Sequence, residues 1–266
     1  MVGPAPARPA TPADGCAWIT GASSGIGRAL ALNLAAAGWT VAVSARRADA
    51  LDEVVRAAGE GPGRIVAYPL DVTDGAAVAA TLERIEAEVA PVARAVLNAG
   101  MHKPTPAADF RAEAVEAIVT LNVLAVARGL DALLPRMRER GRGQIAIVAS
   151  VAGYRGLPTA AGYGASKAAA INMAEALRPE LEAEGILMQV VNPGFIETPM
   201  TAENRFPMPM LMSVRDAAAA LTRGLDSRRF EIVFPRLFCW FVKLYRCLPY
   251  ALALALARRM VAKAHP

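Results

Sequence analysis

Apolar and polar positions along this chain follow two alternating rhythms. Short, nearly continuous apolar runs rich in β-branched residues give way to longer Ala- and Leu-rich stretches with helical spacing. The runs at 16–20, 40–45, 64–70, 94–100, 143–150, 186–194 and 230–234 predict seven strands. The stretches at 26–38, 48–59, 74–89, 162–184 and 213–225 predict helices, and 108–139 predicts one long helical region or two helices. Strands that are apolar throughout, and do not alternate, are strands buried on both faces. Alternating strands and helices imply βαβ units with right-handed crossovers. The expected fold is therefore α/β, a single doubly wound parallel sheet of about seven strands flanked by helices. No internal repeat or composition break divides it.

The chain's two ends fall outside that rhythm. Residues 1–15 are rich in Pro and Ala, lack an apolar core and predict a disordered leader. Residues 235–266 follow the last strand as a C-terminal helical extension, leaving 16–234 as the main domain. On a helical projection Arg236, Lys243 and Arg246 fall on one side of the extension, and Leu237, Phe238, Phe241, Leu244 and Leu248 on the other. Pro249 should interrupt the helix. The longest uncharged run there is eleven residues, 247–257, too short to span a bilayer. The extension reads either as an amphipathic element making peripheral membrane contact or as a packing or dimer contact.

Composition narrows the function classes. Of 266 residues, 55% are apolar and 20% charged, which suits a folded domain. The net charge of +5 suits an anionic ligand or surface, but no Lys/Arg run with interleaved aromatics points to nucleic acid. Three cysteines, Cys16, Cys239 and Cys247, form no CxxC pair and favour a reducing, cytoplasmic compartment. With only two histidines, His102 and His265, no metal site is expected, and a Ser-His-Asp hydrolase, for which His102 would be the one realistic base, is poorly supported. His102 and Lys103 read as part of a variable loop without a role.

The segment "TGASSGIG" (20–27) falls where the first strand should turn into the first helix. Gly21, Gly25 and Gly27 suit a tight turn against a phosphate at a helix N-terminus. Their GxxxGxG spacing departs from the GxGxxG fingerprint, so the turn is a moderate signal alone. After strand two comes "SARRAD". Ala45 stands near the position where a dinucleotide fold places an acid for the ribose 2′-hydroxyl, and Arg46 and Arg47 follow. Two guanidiniums suit a 2′-phosphate, so NADP(H) is favoured over NAD(H).

Tyr163 and Lys167, four residues apart, share one helix face. Strand 143–150 ends at Ser150 and strand 94–100 carries Asn98, at the same sheet edge. The segments "TGASSGIG", "DVTD", "NAG", "LNV", "VAS", "YGASK" and "NPGFIETPM" occur in one order across 16–234. In that order the chain resembles the short-chain dehydrogenase/reductase family. The resemblance implies a Rossmann-type fold and a residue-by-residue set of roles. Tyr163 would be the general acid/base and Ser150 the partner of the substrate oxygen. Lys167 would hold the nicotinamide ribose and lower the tyrosine pKa, with Asn122 supporting a water-linked relay to it. Ser23, Ser24 and Ile26 would join the three glycines at the phosphates. Asp71 and Val72 would lie by the adenine, and Asn98, Ala99 and Gly100 would line the cofactor. Pro193, Gly194, Ile196 and Thr198 would contact the nicotinamide end.

The segment 194–212 is expected to cover the site as a lid. Its Phe195, Met200, Phe206, Met208, Met210 and Met212, with Met101, Val151, Tyr154 and Leu157, suggest an apolar substrate. The expected activity is interconversion of a carbonyl and a secondary alcohol on an apolar, lipid-like small molecule, by a homo-oligomer. A catalytically silent NADP-binding regulator or scaffold is the alternative reading. A methyltransferase is a third, disfavoured by the paired arginines.

Overall fold

The computed structural model describes residues 6–202 and 208–264. Seven strands form one sheet, parallel throughout, in the order β3-β2-β1-β4-β5-β6-β7. They are β1 (Cys16–Thr20), β2 (Thr40–Ser44), β3 (Arg64–Ala67), β4 (Val92–Leu97), β5 (Gly143–Val148), β6 (Ile186–Pro193) and β7 (Glu231–Phe234). Every residue of β1, β4, β5 and β6 is buried. That follows from helices covering both faces of the sheet, which form two apolar layers. Strand order reverses between β1 and β4, so their carboxyl ends open a crevice where a ligand can enter.

The helices are α1 (Gly25–Ala36), α2 (Ala48–Ala58), α3 (Gly75–Glu88), α4 (Ala112–Val119), α5 (Ala125–Glu139), α6 (Ala161–Ala183), α7 (Pro199–Ala202) and α8 (Val214–Leu225). Asp74 caps α3 by accepting from the Ala77 N–H, 3.0 Å. The expected strands 64–70 and 94–100 end earlier, at Ala67 and Leu97, because the chain leaves the ladder at the crevice. The long helical region is α4 and α5 joined through a π-helical turn, Thr120–Leu124.

The leader differs from the expected disorder over residues 6–15; residues 1–5 lie outside the described part. Ala7 and Ala10 are buried, and Pro12–Asp14 form a turn of 3-10 helix. The Ala10 N–H donates to Gln144 Oε1 (2.9 Å), and its carbonyl accepts from Arg94 Nη2 (2.7 Å). Asp14 is held far below the ordinary carboxylate range, chiefly by the Arg8 guanidinium. A polar segment is thus fixed by hydrogen bonds that composition does not reveal.

After β7 the chain forms α9 (Arg236–Cys247) and α10 (Tyr250–Ala264), with Pro249 between them. The two sides expected for the first of these helices are redistributed. Phe238 turns inward and packs its ring 5.2 Å from Phe195, and Lys243 pairs with Glu231. Leu237, Trp240, Phe241 and Leu244 face solvent. Leu248 falls just past the helix end.

Candidate active site

The crevice is walled first by the turn between β1 and α1. Gly21 and Gly25 adopt φ of +66° and +54°, a region that favours glycine. A Cβ at Gly21 would come within 2.7 Å of the Ala99 Cα, so β4's end and the turn touch only because no side chain intervenes. Asn98 fixes this contact. Its Nδ2 donates to the carbonyls of Thr20 (3.0 Å) and Gly21 (3.1 Å), while the N–H groups of Asn98 and Ala99 donate to Thr20 Oγ1. Gly27 packs behind the turn, where a Cβ would meet Asn98 Nδ2 at 2.6 Å. Ser24 precedes α1 but makes no side-chain cap, which leaves the helix's first N–H groups open to an anion.

At the far end of the crevice stand Arg46 and Arg47. Both are exposed, and neither makes an ion pair among the described residues. Ala45 offers no carboxylate beside them. Asp71 accepts from the N–H (2.9 Å) and hydroxyl (2.7 Å) of Thr73. These bonds hold its carboxyl below the ordinary range, with a smaller contribution from Arg46.

The reacting end is built on α6 and the end of β5. Lys167 is 5% exposed, donates to the Val148 carbonyl (2.8 Å) and lies 5.7 Å from the Tyr163 ring centroid. Burial pushes Lys167 down to about 8. Burial likewise pushes Tyr163 up, and the Ser150 hydroxyl beside it pulls the phenol partly back. Ser150 Oγ accepts from the Ala152 N–H (3.2 Å) and reaches the Pro193 carbonyl at 3.5 Å.

Asn122 does not line the crevice. The π-helical turn carries it inward, where Oδ1 accepts from the Met101 N–H (2.8 Å). Its Nδ2 donates to the Met101 carbonyl (2.9 Å) and to Ser166 Oγ (3.0 Å). Ser166 in turn donates to the Tyr163 carbonyl, 2.7 Å. Asn122 therefore ties the segment after β4 to the helix that carries the tyrosine. A Cβ on Gly100 would lie 3.1 Å from Asn122 Oδ1 and 3.4 Å from Lys167 Nζ, so both groups flank that glycine.

One neighbour escaped the sequence reading. The His102 ring meets the Tyr163 ring edge-on, with centroids 4.7 Å apart, and its Nδ1 is buried without a partner among the described residues. Burial lowers its pKa, which favours the neutral ring. The available signal was its position two residues after "NAG", which ends beside the tyrosine.

The crevice holds about 650 Å³ and runs from Arg46 and Arg47 to Tyr163. Of the residues given catalytic or cofactor-binding roles from sequence, all but Gly27 and Asn122 line it: Gly21, Ser23, Ser24, Gly25, Ile26, Arg46, Arg47, Asp71, Val72, Asn98, Ala99, Gly100, Ser150, Tyr163, Lys167, Pro193, Gly194, Ile196 and Thr198. Met101, Ala117, Leu121 and Met200 supply an apolar wall. Val151, Tyr154 and Leu157 are not part of it. Tyr154 is buried and its hydroxyl donates to Glu231, which also accepts from Asn192 Nδ2 (2.8 Å) and pairs with Lys243. Burial pushes Glu231 up, but those three donors bring it below the ordinary range. Phe206 lies outside the described residues, and Met210 is exposed.

The crevice has the parts a dinucleotide requires. It offers a glycine turn at an uncapped helix N-terminus, free guanidiniums at one end, and a buried ammonium beside a phenol at the other.

Comparison with known proteins agrees with this geometry. The family model described as short chain dehydrogenase matches residues 15–208. An uncharacterized oxidoreductase of Myxococcus xanthus is 37% identical over 244 residues, 92% of this chain and 96% of that protein. A short-chain dehydrogenase from Sphingobium yanoikuyae, solved with NADPH, superposes with a TM-score of 0.75 at 29% identity, covering 89% and 97% of the two chains. One from Burkholderia phymatum, solved with NAD, gives 0.78 at 25% identity, covering 89% and 94%.

Proposed function

From the premise that this chain belongs to the short-chain dehydrogenase family, an NAD(P)-dependent oxidoreductase family, we propose that it interconverts a carbonyl and a secondary alcohol on an apolar substrate, with NADP(H) preferred. The observation that carries the reading is the meeting of Ser150, Tyr163 and Lys167 at one end of a crevice whose other end holds unpaired Arg46 and Arg47.

A bound nicotinamide would supply or accept the hydride. Each remaining role falls to this chain. The glycine turn and the α1 N-terminus receive the pyrophosphate. Arg46 and Arg47 receive the 2′-phosphate, where Ala45 leaves no competing carboxylate. Ser150 donates to the substrate oxygen and stabilises charge developing on it. The Tyr163 hydroxyl passes a proton to that oxygen in reduction and takes one in oxidation.

A free phenol titrates near pH 10, so acid/base work near pH 7 requires about 4 kcal/mol favouring phenolate. Burial alone works against this in the protein, raising Tyr163. The help must come from fixed positive charge nearby, and Lys167 is the protein's own cation there. Met101, Leu121 and Met200 give the wall an apolar character, which supports a hydrocarbon-bearing substrate. A homo-oligomer is part of the proposal.

The test is NADPH consumption across apolar ketones and aldehydes of increasing chain length. Turnover that rises with chain length is expected. Tight cofactor binding with no turnover of any carbonyl would instead favour the silent regulator.

A further inference from the structure

We infer that the exposed faces of α9 and α10 form a docking surface for an anionic lipid bilayer. On α9, Leu237, Trp240, Phe241 and Leu244 are 58%, 71%, 56% and 65% exposed. At 100° per residue they fall within one 100° arc, a continuous apolar stripe. On α10, Tyr250 and Leu254 fall within 40° of each other by the same rule and are 78% and 53% exposed. Scattered apolar residues are ordinary on a surface, but two adjacent helices presenting such residues together are not.

Charge identifies the occupant. Residues 235–266 contain six Arg and Lys and no Asp or Glu, while the whole chain carries only +5. The cationic excess is therefore concentrated in this extension. Lys243 is spent on Glu231, whereas Arg236, Arg246, Arg258 and Arg259 make no ion pair among the described residues. A second copy docked by a two-fold axis would set this patch against itself, cation facing cation. A surface of anionic headgroups over acyl chains matches both the charge and the apolar stripe.

Geometry sets the mode. The helices have 12 and 15 residues and are separated by Pro249, so neither crosses a hydrocarbon core of about 30 Å. They would lie in the interface. The inner side of α9 is anchored to the crevice: Phe238 packs on Phe195, and Cys239 Sγ donates to the Asn192 carbonyl. One helix thus stands between the docking face and the strand end that lines the crevice. The inference stands apart from the proposed chemistry, because its test reads binding and not turnover.

Trp240 provides the reporter. Trp18 and Trp39 are 1% and 3% exposed, so a blue shift of fluorescence on adding vesicles reads Trp240. The full chain is titrated with phosphatidylglycerol/phosphatidylcholine vesicles and co-sedimented with them. Expected are a blue shift, binding at least tenfold weaker to pure phosphatidylcholine, and a similar loss in high salt. The double variant Trp240→Glu/Leu244→Glu should keep its melting temperature and bind anionic vesicles at least tenfold less by co-sedimentation. Arg258→Gln/Arg259→Gln should lose the anionic preference. Absence of both blue shift and co-sedimentation at millimolar anionic lipid overturns the inference. So does light scattering in which Trp240→Glu/Leu244→Glu breaks a lipid-free oligomer into smaller species, which would assign the face to a second copy.

Discussion

The Lys167 ammonium lies 5.7 Å from the centre of the Tyr163 ring, one helical turn along α6, and is nearly sealed from solvent. Burial drives both groups toward neutrality, lowering the lysine to about 8 and raising the tyrosine. Lys167 carries its charge below pH 8 and loses it as pH rises through that value. Carbonyl reduction should therefore fall above pH 8, toward tenfold per unit, in kcat/KM measured from pH 6 to 10. Lys167→Arg keeps a cation that does not titrate in this range and should move the falling limb to higher pH. A profile flat to pH 10 in the unaltered protein would remove Lys167 from the chemistry.

Tyr163→Phe removes the proposed proton donor and leaves the ring and its edge contact with His102. Turnover should fall by about 10² to 10⁴, the usual contribution of a positioned acid/base. NADPH affinity, read by quenching of protein fluorescence, should change by less than threefold. Undiminished turnover would show that another group moves the proton.

Arg46→Asp exchanges a cation for the acid that dinucleotide folds use to hold a ribose hydroxyl. A charge-assisted hydrogen bond contributes about 1.5–3 kcal/mol, so the ratio of NADPH to NADH affinity should drop at least tenfold. Isothermal titration of both cofactors measures it. An unchanged ratio would leave Arg47, or neither arginine, as the phosphate ligand.

The strands and their parallel pairing were legible because burial on both faces writes itself as uninterrupted apolar runs, as in β5 and β6. The crevice was legible because Gly21, Ser150 and Tyr163 follow strand ends that topology brings to one edge. Contacts set by folding and not by spacing were hidden. Tyr154 looked like an apolar substrate surface, yet its hydroxyl is committed to Glu231, 77 residues away. His102 meets the Tyr163 ring from an irregular segment that has no periodicity. Residues 6–15 looked disordered because their order rests on Gln144 and Arg94, side chains whose inward direction no local pattern announces.

Arg94 shows how far that hidden order extends. It is fully buried near the start of β4, at the end of the sheet away from the crevice. Its Nε donates to Gln144 Oε1 (2.8 Å), and its Nη2 to the Ala10 carbonyl (2.7 Å) and to Asp226 Oδ1 (2.9 Å). The guanidinium stacks 4.6 Å from the Trp39 ring. Gln144 continues the network by donating to Gln189 and to the Leu225 carbonyl, each at 2.7 Å. Asp226 is largely exposed and can recover water, but the Ala10 carbonyl and Gln144 cannot readily do so. Arg94→Ala leaves those acceptors underserved and a cavity beside Trp39, a loss of about 3 kcal/mol. The melting temperature should fall by roughly 6–10 °C. Removing residues 1–11 takes away the Ala10 contacts, the exposed Arg8–Asp14 pair and the buried Ala7, but keeps the Arg94 bonds to Gln144 and Asp226, and should cost less, about 1–2 kcal/mol. In both variants the NADPH affinity of the folded fraction should be unchanged, since no crevice residue belongs to this network. A selective loss of cofactor binding without a change in melting temperature would mean that the two ends of β4 are coupled.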